Sequence, residues 1–190
     1  MGGISINNAV CLYHSLLEDI LDCGDIAVDC TMGNGNDTLF LLRCVGEKGM
    51  VYSFDIQQRA IDNTRKLIGE KYRYQNYKLI LDSHENIDKH IKERVKAVVF
   101  NLGYLPGGSH HITTVHDTTL KAVKKSMAIL KQGGIIILCV YPGHPEGIIE
   151  KQTLLEYAKA IDSKNYSVLS LSFINQSKNS PFILVIQKKA

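Results

Sequence analysis

A chain of 190 residues with 45% hydrophobic and 22% charged side chains has the size and balance of one soluble globular domain, able to bury a core without disulfides or metals. No apolar run approaches the roughly 20 residues that span a bilayer, and MGGISINNAVCLYHSLLEDI lacks the cationic leader and cleavage site of a secretory signal, so a cytoplasmic protein with no membrane partner is expected. The net charge of +3 permits a nucleic-acid partner without demanding one.

In chain order, the apolar patterning predicts a helix over 8–22, a strand DIAVDC over 25–30, a helix over 36–45 and a strand MVYSFD over 50–55. A helix over 57–72, a strand YKLILD over 77–82, a helix over 84–93 and a strand KAVVFNLG over 96–103 follow. The chain continues with a helix over 117–131, a strand GIIILCVY over 134–141 and a helix over 147–162, and ends in two strands, YSVLSLSFI over 166–174 and FILVIQ over 182–187. Asn36 or Asp37 is suited to cap the second helix, Gly46 to stop it, and the pair Gly133 and Gly134 to stop the fifth. The first five strands are short and almost continuously apolar, as strands covered by helices on both faces must be, which predicts a doubly wound parallel α/β sheet. Only NQSKNSP separates the last two strands, too few residues for a parallel crossover, so they should form an antiparallel hairpin. One domain over 1–190 is expected, with five scattered cysteines that contain no CxxC pair and read as reduced thiols, not as a metal site.

The stretch VDCTMGNGNDTLFLL (28–42) is a strand that breaks into a glycine-rich turn and re-enters as a helix, the place where doubly wound sheets bind ligands. Gly33 and Gly35 allow close backbone approach, and Asp55, twenty residues after Gly35, stands where a carboxylate accepts hydrogen bonds from ribose hydroxyls. A dinucleotide site needs a third glycine where this chain has Thr38, and a pyrophosphate would meet Asn36 and Asp37 at the helix start. S-adenosylmethionine (SAM) carries no phosphate, and its cationic ends suit a loop flanked by Asp29 and Asp37. Asp82, with Ser83 and His84, follows the third strand, where a polar group can take an adenine amine; alternatively, Asp82 caps the segment SHEN. Asn101 closes the fourth strand beside the expected methyl group.

These segments, with FDIQ (54–57), FNLGYLPGG (100–108), TTLKA (118–122) and FINQ (173–176), resemble the small class I SAM-dependent methyltransferases known as rRNA methylases. Their better-defined members methylate the 5-aminomethyl group of the wobble uridine in bacterial tRNA. The resemblance implies a Rossmann-like seven-stranded sheet of order 3-2-1-4-5-7-6 with strand 7 antiparallel. It implies cofactor contact at Gly33, Asn34, Gly35, Asp55, Gln57, Asp82, Ser83 and His84, and at His14 in the first helix. With their neighbours in the same loops, the expected cofactor set also takes in Asp29, Asn36, Asp37, Thr38, Ile56 and Asn101.

Methyl transfer from a sulfonium asks the protein mainly to orient the nucleophile and exclude water. In NLGY, the Asn101 side-chain oxygen and the Leu102 carbonyl are placed to accept the hydrogens of an amine and Tyr104 to stack on a base, as in the Asn-Pro-Pro-Tyr motif of amino-group methyltransferases. Gly103, Pro106, Tyr141 and His144 complete the expected substrate side. A protonated amine must lose a proton first; of His110, His111, His116 and His144 in the flanking loops, the resemblance favours His110, giving a catalytic set of Asn101, Tyr104 and His110. Lys121, Lys124 and Lys125, with Lys178, Lys188 and Lys189, are candidate phosphate contacts for tRNA, pooled across a homodimer, and KYRYQNYK (71–78) is a further RNA-contact candidate. Other acceptors (rRNA, a small molecule, a protein), a catalytically silent nucleotide-binding module and an NAD-linked oxidoreductase remain alternatives.

Overall fold

The structure is a computed structural model that describes residues 5–105, 107, 113–177 and 179–190. Strands β1 (Ile26–Asp29), β2 (Met50–Asp55), β3 (Tyr77–Leu81), β4 (Val95–Asn101), β5 (Leu130–Val140), β6 (Tyr166–Leu171) and β7 (Phe182–Lys188) form one sheet of order β3-β2-β1-β4-β5-β7-β6. The pairs among β1 to β5 are parallel, and β7 runs antiparallel to both β5 and β6. The short NQSKNSP link therefore does make a hairpin, and the sheet has the topology expected of a class I methyltransferase.

Among the described residues, the α-helices that cover the sheet are α1 (Ala9–Ile20), α2 (Asn36–Val45), α3 (Gln58–Lys71), α4 (Ile87–His90), α5 (His116–Ile129) and α6 (Pro145–Ala160). Alternate side chains of each central strand feed two cores. Phe54, Phe100 and Leu138 pack with Val123 of α5 and Leu154 of α6, while Val51, Val99 and Ile137 pack with Leu17 of α1, Leu41 of α2 and Ile68 of α3. Complete burial of a side chain such as Phe100 contributes roughly 1.5–3 kcal/mol.

Three boundaries differ from the sequence expectation. The cap of α2 is Gly35, in the left-handed region at φ 85°, and neither Asn36 nor Asp37, which already lie inside the helix. Helix α5 stops at Ile129, short of Gly133 and Gly134, because buried Leu130 leaves the helix to pair with Val95; residues 131–134 then bulge before Ile135 resumes the register opposite Ala97. The expected helix over 84–93 is a 3-10 turn, His84–Asn86, capped by Ser83, followed by α4, which ends at His90.

Gly35 carries a stability prediction. A Cβ there would sit 2.7 Å from Thr64 Oγ1 and 3.0 Å from Thr64 Cα, against backbone as well as side chain. A left-handed conformation costs an L-residue roughly 1–2 kcal/mol and overpacking about 1–3 kcal/mol. Gly35→Ala should therefore lower unfolding free energy by about 2–5 kcal/mol, read as a reduced urea midpoint at unchanged slope; an unshifted midpoint would contradict the packing described.

Candidate active site

The carboxyl ends of β1 to β5 and the segments that follow them enclose a cavity of about 830 Å³. Thr31, Met32, Gly33 and Asn34 come from the β1 loop, Asp55, Ile56 and Gln57 from the end of β2, Asp82, Ser83 and His84 from the end of β3, Asn101 to Tyr104 from β4, and Tyr141 and His144 from β5. Asn36 and Asp37 of α2 also reach it, so most expected contacts share one wall. Pro106, His110, His111 and Lys178 lie outside the described residues.

The loop owes its shape to anchors on both sides. Asp55 Oδ2 accepts the Gly33 N–H at 3.0 Å and its Oδ1 accepts the Gln57 N–H at 2.9 Å. Thr64 Oγ1 donates to the Gly33 carbonyl at 3.2 Å, and Asn63 Nδ2 donates to Asn34 Oδ1 at 2.9 Å. Gly33 has φ 54°, a conformation that glycine adopts freely.

Asp29, Gly35 and Thr38 do not reach the cavity; they stand behind its wall. Asp29 is completely buried, accepting from the Thr31 N–H at 3.1 Å and from Thr38 Oγ1 at 2.7 Å, and Thr38 also reaches Ser53 Oγ at 3.0 Å. Gly35 is fully occupied with Thr64. The sequence reading placed Asp29 beside a cationic ligand; in the structure it ties the loop to β1 and α2. Burial, with Asp37 nearby, pushes its carboxyl up from 3.8 to about 7. The unfolded chain therefore releases this proton at lower pH than the native protein, so the charge of Asp29 erodes stability as pH rises from about 4 to 7 and erodes it no further above. The thermal midpoint of Asp29→Asn relative to the natural chain should rise between pH 5 and pH 8; a difference constant across that range would contradict this.

Asp37 joins helix α1 to strand β4. Its Oδ1 and Oδ2 each lie 2.8 Å from the Tyr13 hydroxyl, His14 Nε2 is 2.7 Å from Oδ1, and Asn101 Nδ2 donates to Oδ2 at 3.2 Å. Burial and the adjacent Asp37 push the Tyr13 hydroxyl far above its ordinary value, so it remains a neutral donor. Asp37 thus faces the cavity with both oxygens engaged by Tyr13, His14 and Asn101. His14, stacked on Phe40 at 3.7 Å, contacts Asp37 and is not part of the cavity wall. Because a carboxylate only accepts, the amide nitrogen of Asn101 must face Asp37 and its Oδ1 is the atom left for a ligand. The Asn101 backbone N–H donates to Thr31 Oγ1 at 2.7 Å, and that of Leu102 to the Cys139 carbonyl at 2.9 Å.

Beyond β3, Asp82 is largely consumed by its own segment. It accepts from the Ser83 N–H at 2.7 Å and Asn86 Nδ2 at 2.8 Å and pairs with His90 Nε2 at 2.7 Å, bonds that hold its carboxyl below the usual value. Asp82 thus serves its own segment, although the cap of the 3-10 turn is Ser83 and not Asp82. His84 Nδ1 lies 3.0 Å from the Cys30 carbonyl, so it carries the proton; burial lowers the pKa of this ring and keeps it neutral. Its bare Nε2 is buried with no hydrogen-bond partner.

The remaining histidines are tied to helix starts. His144 Nδ1 accepts the Gly147 N–H at 3.1 Å as the cap of α6, and its ring meets Tyr104 edge-on with centroids 6.4 Å apart. His116 begins α5 and pairs with Glu146 Oε1 at 2.7 Å, which raises its pKa. The α5 lysines are also engaged: Lys121 with Glu85 at 3.3 Å, Lys125 with Asp88 at 2.7 Å, and Lys124 over the Tyr157 ring. Lys188 and Lys189 donate to the Leu130 and Ser163 carbonyls. The KYRYQNYK stretch joins the end of α3 to the start of β3, on the rim opposite the cavity.

Thr113, Thr114, Val115, Thr118 and Asn179 also line the cavity and were not singled out from sequence. Topology alone would have found Asn179: β6 runs parallel to β5, so its turn into β7 returns to the same rim.

Three comparisons bear on what this cavity holds. The family model described as "Putative rRNA methylase" matches residues 51–187. A chloroplastic tRNA (mnm(5)s(2)U34)-methyltransferase from Arabidopsis thaliana is 38% identical over 174 residues, covering 86% of this chain; the chain spans 63% of that relative's length. Among solved structures, a "putative rRNA-methylase" from Clostridium thermocellum is 44% identical, covers 97% of this chain and 99% of its own, and superposes with a TM-score of 0.94. A "putative methyltransferase" from Streptococcus mutans, in complex with SAH, is 38% identical over the same shares with a TM-score of 0.87.

Proposed function

Because the chain belongs to the Putative rRNA methylase family, we propose that it is a SAM-dependent methyltransferase acting on the amine of a 5-aminomethyl-(2-thio)uridine at the tRNA wobble position. The observation that carries this reading is Asn101: its amide nitrogen is engaged by Asp37, and its oxygen is left for an acceptor on the wall shared with Gly33 and Asp55.

The residues present fit the cofactor. Asp37, Asp55 and Asp82 line the cavity, and no lysine or arginine does so among the described residues, a balance that suits a sulfonium and an ammonium and opposes a pyrophosphate. Asp55 keeps acceptor capacity on both oxygens for ribose hydroxyls, the bare Nε2 of His84 can take a further donor, and exposed Ile56 offers an apolar face at the mouth. When bound, SAM supplies the activated methyl group. Asn34, Asn36, Gln57 and Ser83 line the same cavity.

On the acceptor side, Asn101 Oδ1 and the Leu102 carbonyl take the amine hydrogens and aim its lone pair. Tyr104, Gly103, Tyr141 and His144 wall the space in which the base lies, Tyr104 stacking on it. Since Nδ1 of His144 is used in capping, its ring presents Nε2–H and serves as a donor, not as a base. His110, four positions after Pro106 in the sequence, keeps the proton-accepting role in this reading; His110→Ala should lower the rate and flatten its rise with pH.

Action in the cytoplasm is the reading that five scattered cysteines without a CxxC pair support. The α5 lysines are engaged within one copy, and RNA is held across a homodimer in this reading; light scattering with and without tRNA tests that. No helix among the described residues is long and apolar enough to cross a membrane.

Calorimetry with SAM against NAD separates the cofactor classes. Incubation with labelled methyl donor and tRNA from cells lacking the enzyme, followed by nucleoside mass spectrometry, should convert the aminomethyl nucleoside to its N-methyl form. Methylation of rRNA, a small molecule or a protein instead would keep the chemistry and change the acceptor.

A further inference from the structure

Glu150 is a carboxylate that the chemistry above does not use, yet it is 1% exposed in the middle of α6. His116 acts on it favourably from nearby but makes no ion pair with it, so this buried acid needs a structural or functional return for its desolvation. Both of its oxygens take hydroxyl protons: Thr119 Oγ1 donates to Oε1 at 2.6 Å and Thr114 Oγ1 donates to Oε2 at 3.1 Å. Thr119 belongs to α5, whereas Thr114 lies on the cavity wall, one residue before Val115 caps that helix.

Thr114 carries the contact onward. Having given its proton to Glu150, its Oγ1 accepts the Gly103 N–H at 3.0 Å, and the Thr114 N–H donates to the Gly103 carbonyl at 3.0 Å. The neighbouring residues Tyr104 and Thr113 form an isolated antiparallel bridge. Gly103 and Thr114 are therefore joined twice at the neck from which Tyr104 enters the cavity, and Gly103 has φ 138°, a conformation that does not hold itself in place. One hydroxyl orientation satisfies the whole chain: with its proton committed to the carboxylate, the Thr114 oxygen can only accept from Gly103.

The geometry points to Glu150 as a positioning residue of the acceptor site: through Thr114 it holds the Gly103 to Tyr104 neck, and so sets where Tyr104 presents its ring to the base. This rests on the methyltransferase reading, and it predicts a division of labour. The donor side of the cavity, built on Gly33, Asp37 and Asp55, should be indifferent to Glu150, whereas the acceptor side should depend on it.

The test compares Thr114→Val, which removes the relay at constant shape, Thr114→Ser, which keeps it, and Glu150→Gln, which presents one acceptor and one donor where two acceptors stand. Hydrogen exchange at the Gly103 amide, followed by NMR, reports the neck without any substrate. Protection should fall about tenfold or more in Thr114→Val and Glu150→Gln and persist in Thr114→Ser. In steady-state assays with tRNA, the first two should lose about tenfold in kcat/KM for the acceptor, Thr114→Ser should restore it, and calorimetric affinity for SAH should stay within about twofold. Unchanged Gly103 protection in Glu150→Gln, or a donor affinity that falls in step with the acceptor parameters, would overturn the assignment. If the natural chain binds no SAH and methylates no RNA, the methyltransferase reading fails instead, and Gly103 exchange still decides whether Glu150 holds the neck.

Discussion

Asn101→Ala should lower the rate of methyl transfer by about 100-fold while leaving the affinity for SAH within about threefold, because it removes an orienting acceptor and leaves the loop anchors intact. The amide is held at both ends: its backbone N–H by Thr31, its Nδ2 by Asp37 and, at 3.4 Å, by the Tyr13 hydroxyl. That bracing fixes which side-chain atom faces the ligand and removes rotamer freedom that a reacting amine would otherwise have to overcome. Asn101→Asp provides the sharper contrast. A carboxylate there would confront Asp37 where a donor now stands, so this variant should be at least as slow as Asn101→Ala at neutral pH and recover partly as the pair takes up a proton at lower pH. Single-turnover measurement with saturating donor separates the methyl step from binding. A rate for Asn101→Ala within about threefold of the natural chain would remove Asn101 from the chemistry.

Asp55→Ala acts on the other half of the reaction. Its two oxygens already hold the Gly33 and Gln57 N–H groups, so the side chain shapes the loop as well as offering acceptors to a ribose. Hydrogen bonds to a charged group contribute about 1.5–3 kcal/mol each. Losing the equivalent of one to two of them should weaken SAH binding about 100-fold, or about 2.8 kcal/mol at 1.4 kcal/mol per tenfold change. Asp55→Asn should fall between, since an amide offers one acceptor where two N–H groups now donate. Calorimetric titration reads the effect directly. Affinity unchanged in Asp55→Ala would mean that the cofactor does not use the end of β2.

The contrast between Asp55 and Asp29 shows what kind of information a sequence carries. Both aspartates close short apolar strands, and pattern alone treats them alike. Asp55 lines the cavity, whereas Asp29 is completely buried beneath the loop and bonded to Thr38. Likewise, Gly33 and Gly35 read as one motif, but Gly33 faces the cavity and Gly35 makes room for Thr64, twenty-nine residues further along the chain. Asp82 could be read from sequence as a ligand contact or a cap; in three dimensions Ser83 is the cap, and Asp82 is held by three partners of its own segment.

Taken by itself, the order of residues determined the seven strands, the parallel run closed by a hairpin, the rim on which the cavity opens, and the GNGN and NLGY segments that meet there. These follow from local physics: hydrophobic period, turn chemistry and the length of each connection act over a few residues at a time. Which polar side chains face the cavity and which support it from behind, the bond to Asp37 that turns the Asn101 oxygen outward, and the reach of Glu150 to Gly103 through Thr114 were decided only in three dimensions. Burial and hydrogen-bond satisfaction depend on partners from distant parts of the chain, and no local pattern encodes those partners.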